Sequence, residues 1–130
     1  MNKLKILLIT ILIISTGFLS GCNQKENDIE VDLSKVEVVN HTVETIKDLV
    51  GKDYKKITGY ISNNAGILIK EIKIEITFYD INNNYLYIKN SYVYDLKNKE
   101  TREFSTVYHS NNDNYNKVDW DDIKFKVIIL

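Results

Sequence analysis

The feature that most constrains the fold of this chain is a strict alternation of apolar and polar side chains. Ile72, Ile74, Ile76 and Phe78 are separated by single polar or half-polar residues. Because successive side chains of a β-strand point to opposite faces, this pattern predicts a strand with one face buried. The same alternation recurs at 123–129, and more weakly at 57–61 and 86–88.

Turn-forming residues separate these alternating segments. The segments 63–66 and 80–84 are rich in Asn and Asp, which tolerate left-handed backbone and bond to their own main chain, and 96–100 is a third candidate turn. The predicted strands are 35–41, 54–63, 69–80, 84–95, 102–109 and 122–130, with 84–95 as one strand or two. The segment 42–52 has apolar residues at helical spacing, which favours a helix. An irregular excursion at the edge of the sandwich is also compatible with its sequence.

Six or seven short strands without helical crossovers predict an all-β fold, an antiparallel β-sandwich of two sheets. With 130 residues, the chain has room for one domain. Its single cysteine allows no internal disulfide, so the domain must be stabilised by packing.

The first 21 residues have the layout of a secretory signal peptide. Lys3 and Lys5 precede an apolar run, and small residues follow it. A retained transmembrane helix is the alternative, but the run from Leu4 to Leu19 is about 16 residues, shorter than the roughly 20 that a bilayer requires. We therefore predict a helical signal peptide at 1–21, which is removed.

The residues Leu19, Ser20, Gly21 and Cys22 resemble a bacterial lipobox. The resemblance implies a diacylglyceryl group on Cys22, which would become the first residue of the mature protein. Two acyl chains, at about 0.8 kcal/mol per buried methylene, anchor a protein stably. The alternative is a free thiol at the end of the leader.

The segment 22–34 is predicted to be a flexible, lipid-anchored tether, because it begins with a polar run that has no apolar periodicity. Removal of 1–21 takes away two lysines and no acidic residue, so 15 basic and 18 acidic side chains leave a net charge of about −3. This mildly acidic balance indicates no nucleic-acid partner.

The run Ile76-Thr77-Phe78-Tyr79-Asp80 resembles the motif of FxLYD domains, which are small immunoglobulin-like modules of exported prokaryotic lipoproteins. The order of strands and turns over 35–130 is also similar. Ile76 stands where the motif has Phe, and Phe78 stands where it has Leu. The turn 96–101 lacks the expected Pro or Gly. The resemblance implies an immunoglobulin-like sandwich at 35–130, and it implies nothing about activity.

No residue pattern predicts catalysis, a cofactor or a metal site. An acidic cluster near Trp120 lacks the order of a calcium loop, and two histidines lack the spacing of a zinc site. The residues in question are Asp113, Asp119, Asp121, Asp122, His41 and His109. We expect a solvated acidic loop, with Trp120 closing one end of the sandwich, and a protein that is not an enzyme.

Tyrosines provide the candidate contact surface. Alternation places Tyr60 and Tyr79 on outward faces, with Tyr85 and Tyr87 across the hairpin from Tyr79. Adjacent exposed aromatic residues suit protein or glycan contact. Cross-strand pairing that only stiffens the sheet is the alternative interpretation.

The sequence therefore favours a lipid-anchored, non-catalytic interaction module on the extracytoplasmic face of the cell membrane, with an envelope protein as its partner. A carbohydrate or cell-wall glycan bound through the tyrosines is the alternative. An enzyme built from scattered residues ranks third.

Overall fold

The computed structural model describes residues 31–130, which form an all-β sandwich of two antiparallel sheets, as predicted. The strands are β1 (Val36–Lys47), β2 (Asp53–Asn63), β3 (Ile69–Tyr79), β4 (Tyr85–Leu96), β5 (Thr101–His109) and β6 (Lys124–Ile129). The predicted signal peptide 1–21, the lipobox with Cys22 and the tether residues 22–30 lie outside the described residues. Of the tether, 31–34 are described, and a 3-10 turn at Leu33–Lys35 leads into β1.

The strand order is β1-β2-β5 in one sheet and β4-β3-β6 in the other. The second strand therefore pairs with the fifth, and the third pairs with the sixth. This is the pairing order of an immunoglobulin-like sandwich. The turns after β1, β3 and β5 lie at one end of the sandwich, and the start of β1 lies at the other.

The alternation in β3 is reproduced in the structure. Ile72, Ile74, Ile76 and Phe78 are fully buried and belong to the same core as residues of β2, including Ile57. Burial of a side chain of this size stabilises a fold by about 1.5–3 kcal/mol relative to exposure. Because β3 is the central strand of its sheet, these four residues form the middle of the core.

The segment 42–52 differs from both sequence-based interpretations. It is neither helical nor irregular, because β1 continues to Lys47 in regular antiparallel register with β2. A tight turn follows, in which the Asp48 carboxylate accepts hydrogen bonds from the amides of Val50 at 2.9 Å and Lys52 at 2.8 Å. Gly51 supplies the left-handed conformation that this turn requires (φ 81°).

The strand β4 is continuous, and its weak alternation at 86–88 is not reproduced. Leu86 packs against the core, whereas Ile88 lies on the outer face of the sheet. The cause is a register shift: Phe78 faces Tyr87 and the next residue Tyr79 faces Tyr85, so Leu86 is an extra residue that interrupts the alternation of β4.

Gly59 lies beneath the ring of Phe104. A β-carbon at this position would overlap the ring carbons of Phe104 in the neighbouring strand β5. Glycine is therefore required here by the close approach of the aromatic ring, and not by its backbone angles.

The loop that joins β5 to β6 closes one end of the sandwich, as predicted for Trp120. The indole ring lies 5.9 Å from Phe78 and 5.5 Å from Tyr108 between centroids. The ring of Tyr115 packs on the same indole at 5.4 Å. The amide of Asp119 donates to the Tyr79 carbonyl oxygen at 2.8 Å, which attaches this loop to the end of β3.

Candidate functional site

The outer face of the β4-β3-β6 sheet carries a row of exposed aromatic and aliphatic side chains. Because Ile72, Ile74 and Ile76 point into the core, the residues between them point outward, and so do their cross-strand partners in β4. We call the following residues the tyrosine face: Tyr79, Tyr85, Ile88, Tyr92 and Tyr94.

The tyrosine face is well exposed along β4. The exposed fractions are 60% for Tyr85, 37% for Ile88, 46% for Tyr92 and 54% for Tyr94. The rings of Tyr92 and Tyr94 are stacked, with centroids 6.5 Å apart and planes 13° apart. At the other end, Tyr79 and Tyr85 meet edge to face at 6.5 Å. Such packing restricts the orientation of the rings, and their outer surfaces stay accessible to a partner.

The centre of the tyrosine face has little net charge. Lys73 and Glu75 form an ion pair of 2.9 Å on β3, and their side chains are only 24% and 21% exposed. Lys73 lies opposite Tyr92 in the pairing with β4. A partner that covers the centre of this face therefore meets the exposed rings of β4 and an ion pair that is already satisfied, whereas the neighbouring strand β6 adds the exposed Lys124 and Lys126.

Tyr60 is not part of this face, because it belongs to β2 in the opposite sheet. Its hydroxyl donates to Glu103 Oε2 at 3.2 Å, on the neighbouring strand β5. This hydrogen bond, together with the negative charge of Glu103, raises the pKa of the Tyr60 phenol. The structure therefore separates Tyr60 from the other tyrosines of the predicted patch.

Tyr87 also lies away from Tyr79. It is paired with Phe78, and the two rings are stacked with centroids 6.4 Å apart. The same ring meets Tyr108 edge to face at 5.8 Å. Of the four predicted tyrosines, the structure brings together only Tyr79 and Tyr85.

Tyr92 and Tyr94 were not among the predicted contact residues. A signal for them was present, since Val93 separates them and is buried while both tyrosines are exposed. In a strand, an apolar residue between two tyrosines indicates that the apolar side chain points into the core and that both tyrosines point outward.

The turn after β3 holds the adjacent end of the tyrosine face. Asp80 Oδ1 accepts hydrogen bonds from the amides of Asn82 at 2.9 Å and Asn84 at 2.8 Å. The side-chain hydrogen bond from Asn84 is the main cause of a lowered Asp80 pKa, and the backbone hydrogen bonds add to it. Asp80 thus caps the turn and orients Tyr79 and Tyr85.

The residues considered for metal binding are scattered. His41 packs on Phe125 at 4.7 Å and His109 packs on Tyr54 at 5.7 Å, on different strands. Asp122 pairs with Lys124. Within residues 31–130, no three His, Cys, Asp or Glu side chains converge on a position for a metal ion.

Two hollows are present besides this face. A groove of about 490 Å³ runs between β1 and β6, and a smaller hollow of about 180 Å³ lies beside the turn after β1. The part of the chain that the structure describes contains no helix with the length and apolar character needed to cross a membrane.

Comparison of the chain with protein-family models, curated proteins and solved structures finds no match.

Proposed function

We propose that this protein is a lipid-anchored, non-catalytic interaction module of the cell envelope, which binds a protein partner through the tyrosine face. The lipobox resemblance at Leu19–Cys22 supports anchoring through a diacylglyceryl group on Cys22, on the extracytoplasmic face of the membrane. The resemblance of 76–80 to the FxLYD motif supports the same type of protein.

The observation that carries the proposed binding role is the exposure of four large side chains in one row on β4. Aromatic residues are enriched in protein interfaces because they contribute large contact area with few rotatable bonds. The Lys73–Glu75 pair fits such an interface, since its charges are already compensated.

The size of the face limits the kind of complex. The strands are spaced about 4.8 Å apart, and with 11 residues in β3, 12 in β4 and 6 in β6 their outer face covers roughly 450 Å². Stable interfaces bury about 800 Å² on each partner. The tyrosine face alone therefore suits a transient contact, or a partner that reaches beyond this sheet, and it is too small for a stable homodimer.

A cell-wall glycan is the second candidate ligand, and the stacked pair Tyr92 and Tyr94 favours it. Exposed aromatic rings give a sugar an apolar surface to lie on. Retention of the purified protein on insoluble wall polysaccharide, lost in Tyr92→Ala, would support this candidate.

We test the leading proposal by placing a photoreactive phenylalanine analogue at Tyr92 of the tagged full-length protein in its native cells. We expect one defined protein adduct that recurs between cultures, because this position is on the contact face. The matched control has the same analogue at Tyr60, on the outer face of the opposite sheet.

The Tyr60 control should yield no such adduct. Equal labelling from both positions, or no adduct from Tyr92, would contradict the proposed contact face.

A further inference from the structure

The groove between β1 and β6 is the open side of the sandwich. Apolar side chains line it from both strands, including Val36, Val38, Phe125 and Val127, and its polar lining residues are Glu37, Asn40, His41 and Lys124. Its volume of about 490 Å³ lies in the range of ligand sites. It follows 36–41 on one strand and 123–127 on the other, a length of about 15–20 Å that suits an extended chain.

The opposite side of the sandwich is closed by side chains that bind backbone groups across the gap between β4 and β5. The Lys89 ammonium donates to the Val107 carbonyl oxygen, and the Arg102 guanidinium donates to the carbonyl oxygens of Tyr94 and Asp95. Across the gap between β1 and β6, the ring of His41 packs on Phe125, with centroids 4.7 Å apart.

The strand β6 lies at the edge of its sheet. It pairs with β3, and within residues 31–130 no strand lies on its other side. This edge of β6 therefore presents unpaired amide and carbonyl groups next to the groove.

We propose that an extended segment of a partner protein occupies this position. Its backbone pairs with β6, which extends the sheet to four strands, and every second side chain enters the groove. The edge of β1 is less suited to pairing, because its register shifts between Val38 and Asn40 and leaves Val39 51% exposed. The pairing of β6 with β3 is regular from Lys124 to Ile129.

The charges of β6 specify the chemistry of the bound segment. Lys124 and Lys126 are exposed on the outer face of β6 and alternate with Phe125 and Val127. Lys124 is paired with Asp122, whereas Lys126 has no ion-pair partner among the described residues. Opposite charges on neighbouring strands attract, so the bound segment alternates apolar residues with Asp or Glu.

The probe is a fluorescein-labelled heptapeptide of alternating glutamate and valine, added to the full-length protein in detergent micelles. We expect saturable binding by fluorescence anisotropy and slower hydrogen exchange of the β6 amides. Two control peptides are an alternating lysine and valine heptapeptide and a peptide of the same composition as the probe without alternation. Equal binding of all three peptides, or no binding of the probe, would overturn the proposal.

Charge reversal tests the proposed register. Lys126→Glu should weaken binding of the acidic probe about five-fold and strengthen binding of the lysine peptide, because neighbouring strands then carry like charges. Lys52→Glu, in the turn after β1, changes the net charge equally and should leave both affinities unchanged. Equal effects of the two substitutions would show attraction by net charge alone and would contradict the strand model.

Two further results separate this site from its alternatives. Tyr92→Ala should leave the affinity for the probe unchanged, because the tyrosine face does not line the groove; a loss of binding would assign the peptide to that face instead. Hydrogen exchange of the β6 amides should slow when the probe is added. If it slows instead as the protein concentration rises, and not with the probe, a second copy of the chain occupies the groove and the proposal is overturned.

Discussion

Ile76→Asp is expected to prevent folding of the sandwich. Ile76 is fully buried in the central strand β3, paired with Lys89 on one side and Phe125 on the other. Loss of a buried isoleucine costs about 2–5 kcal/mol, and burial of a carboxylate adds several more, since the ammonium of the facing Lys89 is already bound to the Val107 carbonyl oxygen. Together these costs approach the whole stability of a small domain, about 5–15 kcal/mol. Circular dichroism should show no cooperative melting transition.

Thr77→Asp is the matched control for this substitution. The neighbouring residue Thr77 points to the outer face and lies opposite Lys124, so a carboxylate there stays hydrated near a positive charge. Its melting temperature should remain close to that of the unsubstituted protein. If Thr77→Asp unfolds the protein while Ile76→Asp does not, the two faces of β3 are reversed.

Asn63→Ala is expected to give the largest loss of stability among the polar positions, about 3–5 kcal/mol. The buried Asn63 side chain donates to the carbonyl oxygens of Ile67 at 2.8 Å and Leu96 at 2.9 Å. Its carbonyl oxygen accepts from the Ala65 amide at 3.0 Å. Truncation removes a hydrogen-bond partner from each of three backbone groups, which should lower the free energy of unfolding measured in urea.

Two further substitutions separate this effect from a simple loss of volume. Asn64→Ala is the control, since Asn64 is exposed and its side-chain amide donates only to Ser62 Oγ, at 3.2 Å; it should cost less than about 1 kcal/mol. Asn63→Asp keeps the shape but directs a carboxylate at two carbonyl oxygens, so it should destabilise at least as much as Asn63→Ala. A mild effect of Asn63→Asp would show that this hydrogen-bond network does not hold the loop.

The strand β3 and its core residues could be predicted from the sequence, because a period of two over 72–78 has one consistent interpretation. The turns could be predicted for a similar reason, since Asn and Asp collect where the backbone needs left-handed conformations, as at Asn83 (φ 62°). The role of Asn63 could not, because its partners Ile67 and Leu96 are brought to it only by the folded loops.

The arrangement of the tyrosines could not be predicted from local sequence patterns, because it depends on strand register and on which strands share a sheet. The register shift between Phe78 and Tyr79 decides which residues of β4 share a face with β3, and it depends on the geometry of the turn. Tyr87 therefore lies beside Phe78 and not beside Tyr79. Tyr60 was assigned correctly to an outward face, but the assignment of strands to sheets places it on the opposite side of the sandwich.

The end of β1 shows a second limit of pattern-based prediction. Val43 and Ile46 have helical spacing, yet they lie in a strand because β2 offers a pairing partner as far as Lys47. Long-range pairing overrides local periodicity where the local signal is weak. The open groove beside β6 was likewise invisible in the sequence, because it depends on which edges the two sheets leave unpaired.

The most direct test of the proposed function is the intact mass of the protein extracted from membranes of its native cells. The account predicts a chain that begins at Cys22 and carries a diacylglyceryl group, with Cys22→Ala left unprocessed and unlipidated. A membrane-derived protein that begins at Met1, or one that is cleaved elsewhere and carries no lipid, would contradict it.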